Sequence, residues 1–379
     1  MAKVGISQWD KMESFPQKKA TTFGSVKKAL AISLVIISNV CFGQNSNWNV
    51  EAAPLGGFLM PHHDDMLYLI DGHVLGGELS FSKTVDGSED WHHYFAMPRW
   101  GVSLNAYKLG SEYMGEAISG RLFFDLPTGK SRLFSLKISI GAGWIERPFD
   151  EDDNVRNSAI GSSLNASVGL EGVLNIPLNE KLVLTPGLGI HHYSNGAMKM
   201  PNSGINLAML RVGLRFGNNV APAIEDRKSQ FEKGKSEFLF GISGGMKEIK
   251  PIGGEKYGIV NLFGIWQKRL SPKSTFGAEL GVNYNESLQY RAQEDQESEL
   301  DPSENYRFYV AGLYYLHFDP IKIRLSAGSY LAPNFTDDGN VFLRYHLMYT
   351  FGKFEIFTGL KTHYAKADNI ELGMQYRIK

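Results

Sequence analysis

The end of the chain alternates between apolar and polar positions. Ile370, Leu372, Met374, Tyr376 and Ile378 fall on one face of an extended segment, and Glu371, Gly373, Gln375, Arg377 and Lys379 on the other. Side chains two apart on a β-strand share a face, so the pattern predicts a strand with one apolar side. Segments of this character recur, roughly 9–14 residues long, near the length at which a tilted strand crosses a bilayer. No long helical period competes with them. In the first half the alternation predicts strands near 48–60, 73–83, 99–108, 116–125, 132–145, 158–175, 181–194 and 204–217. In the second half it predicts strands near 236–247, 256–269, 273–285, 305–317, 321–330, 340–350, 353–364 and 369–379. The stretch 84–98 is too long for a tight turn, and its pattern explains no element.

The connections carry a second signal. Leu270-Ser271-Pro272, Asp319-Pro320 and Phe351-Gly352 read as tight turns, while 286–304 and 331–339 are longer and polar. Short turns at one end and longer loops at the other fit the periplasmic and extracellular ends of an outer-membrane barrel. The expected fold is therefore all-β, an antiparallel outer-membrane β-barrel with about eight strands in each half, an even total. Residues 44–217 form the first barrel region, 218–235 a polar linker with Pro222 and the run Glu225-Asp226-Arg227-Lys228, and 236–379 the second region. Two architectures stay open: one large barrel with a long connection, or two small barrels. Leu214-Arg215-Phe216 resembles the end of a barrel-closing strand and favours two. Two barrels in one chain are uncommon, which favours one.

Lys27-Lys28 followed by the apolar run Ala29 to Val40 reads as a secretory signal over residues 1–43, with a mature start at Gln44. Met12 is an alternative start that would shorten an unusually long leader. The single cysteine, Cys41, lies inside this signal, so the mature chain is expected to hold no disulfide and no thiol chemistry. The formal net charge of −1 and the scattered basic residues give no footprint for nucleic acid.

The richest local pattern is Gly189-Ile190-His191-His192-Tyr193-Ser194-Asn195-Gly196, followed by Pro201-Asn202-Ser203-Gly204-Ile205-Asn206. His192 and Ser194 share a face, as a base and a nucleophile must. That face also carries Leu182, Leu184, Leu188 and Ile190, so it turns to lipid, at the loop end of the strand. On the next strand Asn206, Ala208, Leu210, Val212, Leu214 and Phe216 share the lipid face, and Arg211 and Arg215 the lumen. Asn206 thus stands at the top of the strand beside His192. Polar groups on a lipid-facing surface are costly and point to function. Ser194 would attack an acyl carbonyl, His192 would carry the proton, and Asn206 would hold the imidazole tautomer. Asn195 and Asn202 are candidates to donate hydrogen bonds to the oxyanion. The alternative is an interfacial polar girdle followed by ordinary Asn-Gly and Pro-Asn-Ser-Gly turns.

At these residues the sequence resembles the lipid A deacylase family of outer-membrane 3-O-deacylases (PagL-like), including the longer acyloxyacyl hydrolases. His192-Tyr193-Ser194-Asn195-Gly196 and Pro201-Asn202-Ser203-Gly204 carry the likeness. Looser matches are Pro61-His62, Asp86-Gly87-Ser88 with Trp91, and Ala159-Ile160-Gly161-Ser162 with Asn165. The resemblance implies an eight-stranded barrel that removes an ester-linked acyl chain from lipid A of the outer leaflet. It implies Ser194 as nucleophile, His192 as base, oxyanion roles for Asn195 and Asn202, and no cofactor. Better-known members orient the histidine with a glutamate, where this chain has Asn206. Asparagine can orient a histidine but cannot stabilise the imidazolium by charge.

Other patterns promise less. His62-His63-Asp64-Asp65 and His92-His93 lack a spaced third metal ligand and read as polar loops. Asp150 to Asp153 and Glu294 to Asp301 lack a calcium-loop pattern and read as solvated loops. Gly359 to Ala365 echoes the His-Tyr motif, but Ala365 replaces the serine and His363 turns to the lumen. Two functional classes follow: an outer-membrane lipid A esterase, or a non-enzymatic barrel acting as pore or scaffold with a vestigial site. The sequence leaves the oligomeric state open.

Overall fold

The computed structural model describes residues 48–62, 64–217, 223–225, 235–290, 302–331, 339–364 and 366–378. The expected signal segment, Cys41, His63, most of the linker and the acidic run Glu294 to Asp301 lie outside them.

The first half forms β1 (Trp48–Leu59), β2 (Val74–Thr84), β3 (Arg99–Lys108), β4 (Glu116–Thr128), β5 (Phe134–Ile145), β6 (Leu164–Leu174), the two-residue β7 (Ile176–Pro177), β8 (Leu182–Ser194) and β9 (Ile205–Gly217). β1 to β6 pair antiparallel in chain order, the two-residue β7 pairs with β8, β8 pairs with β6 and β9, and β1 pairs with β9, which closes an eight-stranded barrel. The second half forms β10 (Ser236–Glu248), β11 (Lys256–Ser271), β12 (Ser274–Asn285), β13 (Tyr306–Phe318), β14 (Ile321–Leu331), β15 (Val341–Phe351), β16 (Phe354–His363) and β17 (Lys366–Arg377). β10 pairs with β17, closing a second eight-stranded barrel. The choice left open by the sequence is thus settled as two small barrels.

The barrels are apolar outside and polar inside. Leu188, Ile190, Leu210, Val212, Leu262, Phe308, Leu372 and Met374 are exposed. The inward positions bury charge. In the first barrel Arg211 pairs with Glu51, with Glu78 at 3.2 Å and with Glu171 at 3.1 Å, and Lys137 reaches Glu78 at 2.5 Å. In the second, Arg344 meets Glu279 at 2.7 Å and lies over Tyr309 and Phe342, and His346 Nε2 is 2.8 Å from Glu371. Lys361 and His363 point inward to Asp368, at 2.9 and 3.4 Å, so the echo motif near the C-terminus is a lumen feature. Aromatic residues ring the tight-turn end: Trp48 stacks on Phe81 beside Trp100, and Phe354 packs on Phe351 and Tyr376. Such girdles mark the bilayer interface. Among the described residues no helix is long and apolar enough to cross a membrane.

Eight strands enclose a bore only wide enough for side chains. Arg324, Arg344, Tyr309, Tyr315 and Phe342 are fully buried in the second bore, as are Tyr193 and His191 in the first. The purified protein in planar bilayers is therefore expected to give no porin-like conductance. Steady ohmic channels would contradict the packing of both lumens.

Two segments differ from the sequence reading. The stretch 84–98 holds the short helix α1 (Asp90–Tyr94), which buries Trp91, His92 and His93. His92 and His93 are therefore packed residues, not a polar loop. Phe318 of the second barrel stacks on Phe95 and Phe124 at 4.6 and 4.9 Å and lies edge-on to Trp91. Apolar docking between barrels explains why this connection is long at a turn end. The expected strand 158–175 begins only at Leu164. Before it, Asn157 Oδ1 accepts the amides of Ala159 and Ile160 at 3.0 and 3.2 Å, folding the backbone into a turn that competes with the ladder.

Candidate active site

The site forms where β8 and β9 end in the connection 195–204. The antiparallel register puts His192 directly opposite Asn206. Their side chains meet on the outer face, with His192 Nδ1 2.6 Å from Asn206 Oδ1. An amide oxygen only accepts, so Nδ1 carries the proton and Nε2 keeps its lone pair. Ser194, two residues on, shares that outer face. The lumen neighbours are spent elsewhere: His191 Nδ1 is 2.6 Å from Tyr107 Oη, and Tyr193 Oη is 3.1 Å from Ser119 Oγ.

Ser194 is only 3% exposed because the connection folds over it. Its hydroxyl donates to Asn202 Oδ1 at 3.2 Å and accepts from Asn202 Nδ2 and the Gly196 amide, both at 3.1 Å. The Asn195 amide N–H donates to Asn202 Oδ1 at 2.9 Å. That bond fixes the Asn202 amide so that its N–H₂ faces the serine. The Asn195 side chain donates to Ser162 Oγ at 2.9 Å and Lys199 O at 2.7 Å. The five residues singled out in the sequence form two hydrogen-bonded sets, Ser194 with Asn202 and Asn195, and His192 with Asn206. Ser194 is directed at Asn202, and His192 at Asn206.

Two glycines make the geometry feasible. Gly204 has φ of +85°, and a Cβ there would sit 2.9 Å from His192 Cε1. Gly196 has φ of +64°, and its Cβ would sit 2.4 Å from Ile370 Cγ1 of the second barrel. Positive φ with no room for Cβ is a position only glycine fills without strain. The second barrel also holds the next residue, since the Glu248 amide donates to Ala197 O at 2.8 Å.

Sequence reasoning did not anticipate several supports. Ser162 steadies Asn195, and the Gly204 amide donates to Ala159 O at 2.9 Å, so the turn at 157–162 buttresses the serine loop. By sequence His62 belongs to a polar loop, yet its ring meets Asn206. The loose matches at Pro61-His62 and Ala159 to Ser162 were the available signals. Nothing local marked Glu248 or Ile370.

Residues 75–215 match the family model described as lipid A 3-O-deacylase (PagL), and residues 236–379 match that of the acyloxyacyl hydrolase C-terminal domain. The chain belongs to the lipid A 3-O-deacylase family. This deacylase-family chain is accordingly a carboxylic ester hydrolase of the bacterial outer membrane. The curated proteins give no match. Among solved structures, CdiB from Acinetobacter baumannii is 9% identical with a TM-score of 0.18, covering 88% of this chain and 60% of its own. A Rhodopseudomonas blastica porin triple mutant is 9% identical with a TM-score of 0.18, covering 87% of this chain and 99% of its own. The siderophore receptor PirA from Pseudomonas aeruginosa is 11% identical with a TM-score of 0.18, covering 88% and 81%. TM-scores of that size support no inference.

For a deacylase-family chain the Gly196 contact has a measurable consequence. Gly196→Val is expected to lower ester turnover about 10–100-fold, the size of one to three kcal/mol of backbone strain. Ile370→Ala in the same chain should recover part of it, because the steric half of the penalty is removed. Comparing turnover of the single and double variants checks this.

Proposed function

We propose that the protein removes an ester-linked acyl chain from lipid A of lipopolysaccharide in the outer leaflet, by a Ser194–His192 mechanism at the extracellular rim of the first barrel. The observation that carries this reading is the pairing of His192 with Asn206 on the outer face, with Ser194 one side-chain repeat further along. Only a substrate in the lipid phase meets that face. Below it, Leu188, Ile190 and Leu210 offer an exposed apolar track along which acyl chains can lie. The end of the barrel with the longer connections is assigned as extracellular.

The step is acyl transfer to the enzyme, then to water. The entering ester carbonyl displaces the Asn202 oxygen from the Ser194 hydroxyl, which turns to His192 Nε2. Catalytic hydrogen bonds of this kind commonly tighten only once substrate is bound. Ser194 Oγ attacks the carbonyl carbon and its proton passes to His192. The C–O bond to the sugar then breaks, and His192 returns the proton to the leaving alkoxide. Water, deprotonated by His192, attacks the acyl carbonyl; the bond to Ser194 Oγ breaks, His192 returns the proton to that oxygen, and the fatty acid leaves. Asn202 Nδ2 serves the oxyanion. Asn195 acts one step back, holding Asn202 by its backbone amide. Asn206 fixes the tautomer of His192 without adding charge. The chemistry requires no metal or cofactor, and the first barrel carries all of its groups. The second barrel supports the serine loop through Glu248 and Ile370.

The test is the mass spectrum of lipid A from cells with and without the full chain, followed by the purified protein on lipid A in mixed micelles. Loss of one hydroxyacyl or acyl mass, with the matching free fatty acid, is expected. Unchanged lipid A in the presence of properly inserted protein would sink the proposal.

A further inference from the structure

We infer that His62 is a positioning residue for the site: through Asn206 it sets which ring nitrogen of His192 holds the proton. This rests on the reading of His192 as the base. His62 lies just after β1, outside the stretch that matches the deacylase model.

The chain of reasoning starts at a backbone carbonyl. His62 Nε2 is 2.7 Å from Ser203 O. A carbonyl cannot donate, so Nε2 carries the proton, and in a neutral ring Nδ1 is then an acceptor. Asn206 Nδ2 lies 3.1 Å from that Nδ1 and donates to it. The amide of Asn206 is thereby held in one of its two flips, with Oδ1 turned to His192 at 2.6 Å. Oδ1 in turn requires the proton on His192 Nδ1 and leaves Nε2 basic.

The relay matters because Asn206 is an asparagine. A carboxylate has two equivalent oxygens and accepts from His192 either way round. An amide has one oxygen, and its opposite flip would turn N–H₂ toward His192 and favour the tautomer with no lone pair on Nε2. Asparagine here therefore needs an external reference for its orientation, and His62 with Ser203 O supplies it. The two ends of the relay are held together by the chain, since Ser203 lies in the same loop as Asn202.

The prediction is a coupling. Purified full-length chains are assayed for deacylation of lipid A in mixed micelles. His62→Ala is expected to lower kcat about tenfold, the size of one lost hydrogen bond, with KM nearly unchanged. His62→Asn, which keeps an acceptor near the Nδ1 position, should recover most of the loss. In an Asn206→Asp background there is no flip to choose, so adding His62→Ala should change kcat by less than about twofold. Nitrogen-15 spectra of histidine-labelled protein give an independent readout: His192 in the Nδ1–H form in the native chain, and a mixture in His62→Ala. An equal fall in both backgrounds, no fall in the native background, or an unchanged His192 tautomer would each overturn the inference. Gel mobility of the unheated protein checks that each variant is folded. Ser194→Ala, run alongside, separates the two levels: if it stays active, the reading of the site fails, whatever His62 does.

Discussion

Ser194→Ala and His192→Ala are each expected to reduce deacylation by at least about three orders of magnitude while leaving the barrel intact. In the proposed mechanism the serine supplies the bond-forming oxygen. Tyr193 and His191 face the lumen and are buried in bonds to Ser119 and Tyr107. Asn202 and Gly196 donate toward the serine but carry no nucleophile. The double variant should be little worse than either single one, because the proposed mechanism has the two residues act as a unit. Lipid A masses from cells producing each variant provide the measurement, with insertion judged by heat-dependent mobility on gels. A folded Ser194→Ala chain that still releases fatty acid would exclude this serine as the nucleophile.

Arg211→Leu is expected to cause the largest loss of stability, about 3–5 kcal/mol, the range for breaking a buried ion pair. Arg211 is enclosed by Glu51, Glu78 and Glu171, all buried. Lys137 remains near Glu78 and Glu171, and Arg215 lies 3.6 Å from Glu51, so the carboxylates would lose only part of their compensation. Adding Glu51→Gln should restore part of the loss by removing one uncompensated charge. Urea titration followed by tryptophan fluorescence, together with gel mobility, measures both variants. A wild-type midpoint for Arg211→Leu would mean that the lumen network contributes little to folding.

Much of the fold was legible. Alternation in Ile370 to Ile378, and in Leu182 to Ser194, follows from the geometry of a single strand, and lipid outside with charge inside amplifies it. The tight turns at Asp319-Pro320 and Phe351-Gly352 fall between β13 and β14 and between β15 and β16. The reading failed where local side-chain bonds or docking outweighed periodicity. Asn157 ended a strand early, and the stretch 84–98 owed its length to a contact with Phe318 that lies more than two hundred residues away.

The candidate site divides in the same way. Sequence alone placed His192, Ser194 and Asn206 on the lipid face at one end of adjacent strands, because face and direction are local properties of an extended chain. Only the folded chain decided that His192 stands opposite Asn206, that Asn202 takes the serine hydroxyl, and that His62 and Ser162 complete the surroundings. It alone decided that the halves close separately and that Ile370 of the second barrel rests on Gly196. Register, closure and docking arise from hydrogen bonds and contacts between segments far apart in sequence, and no periodicity within one segment encodes them.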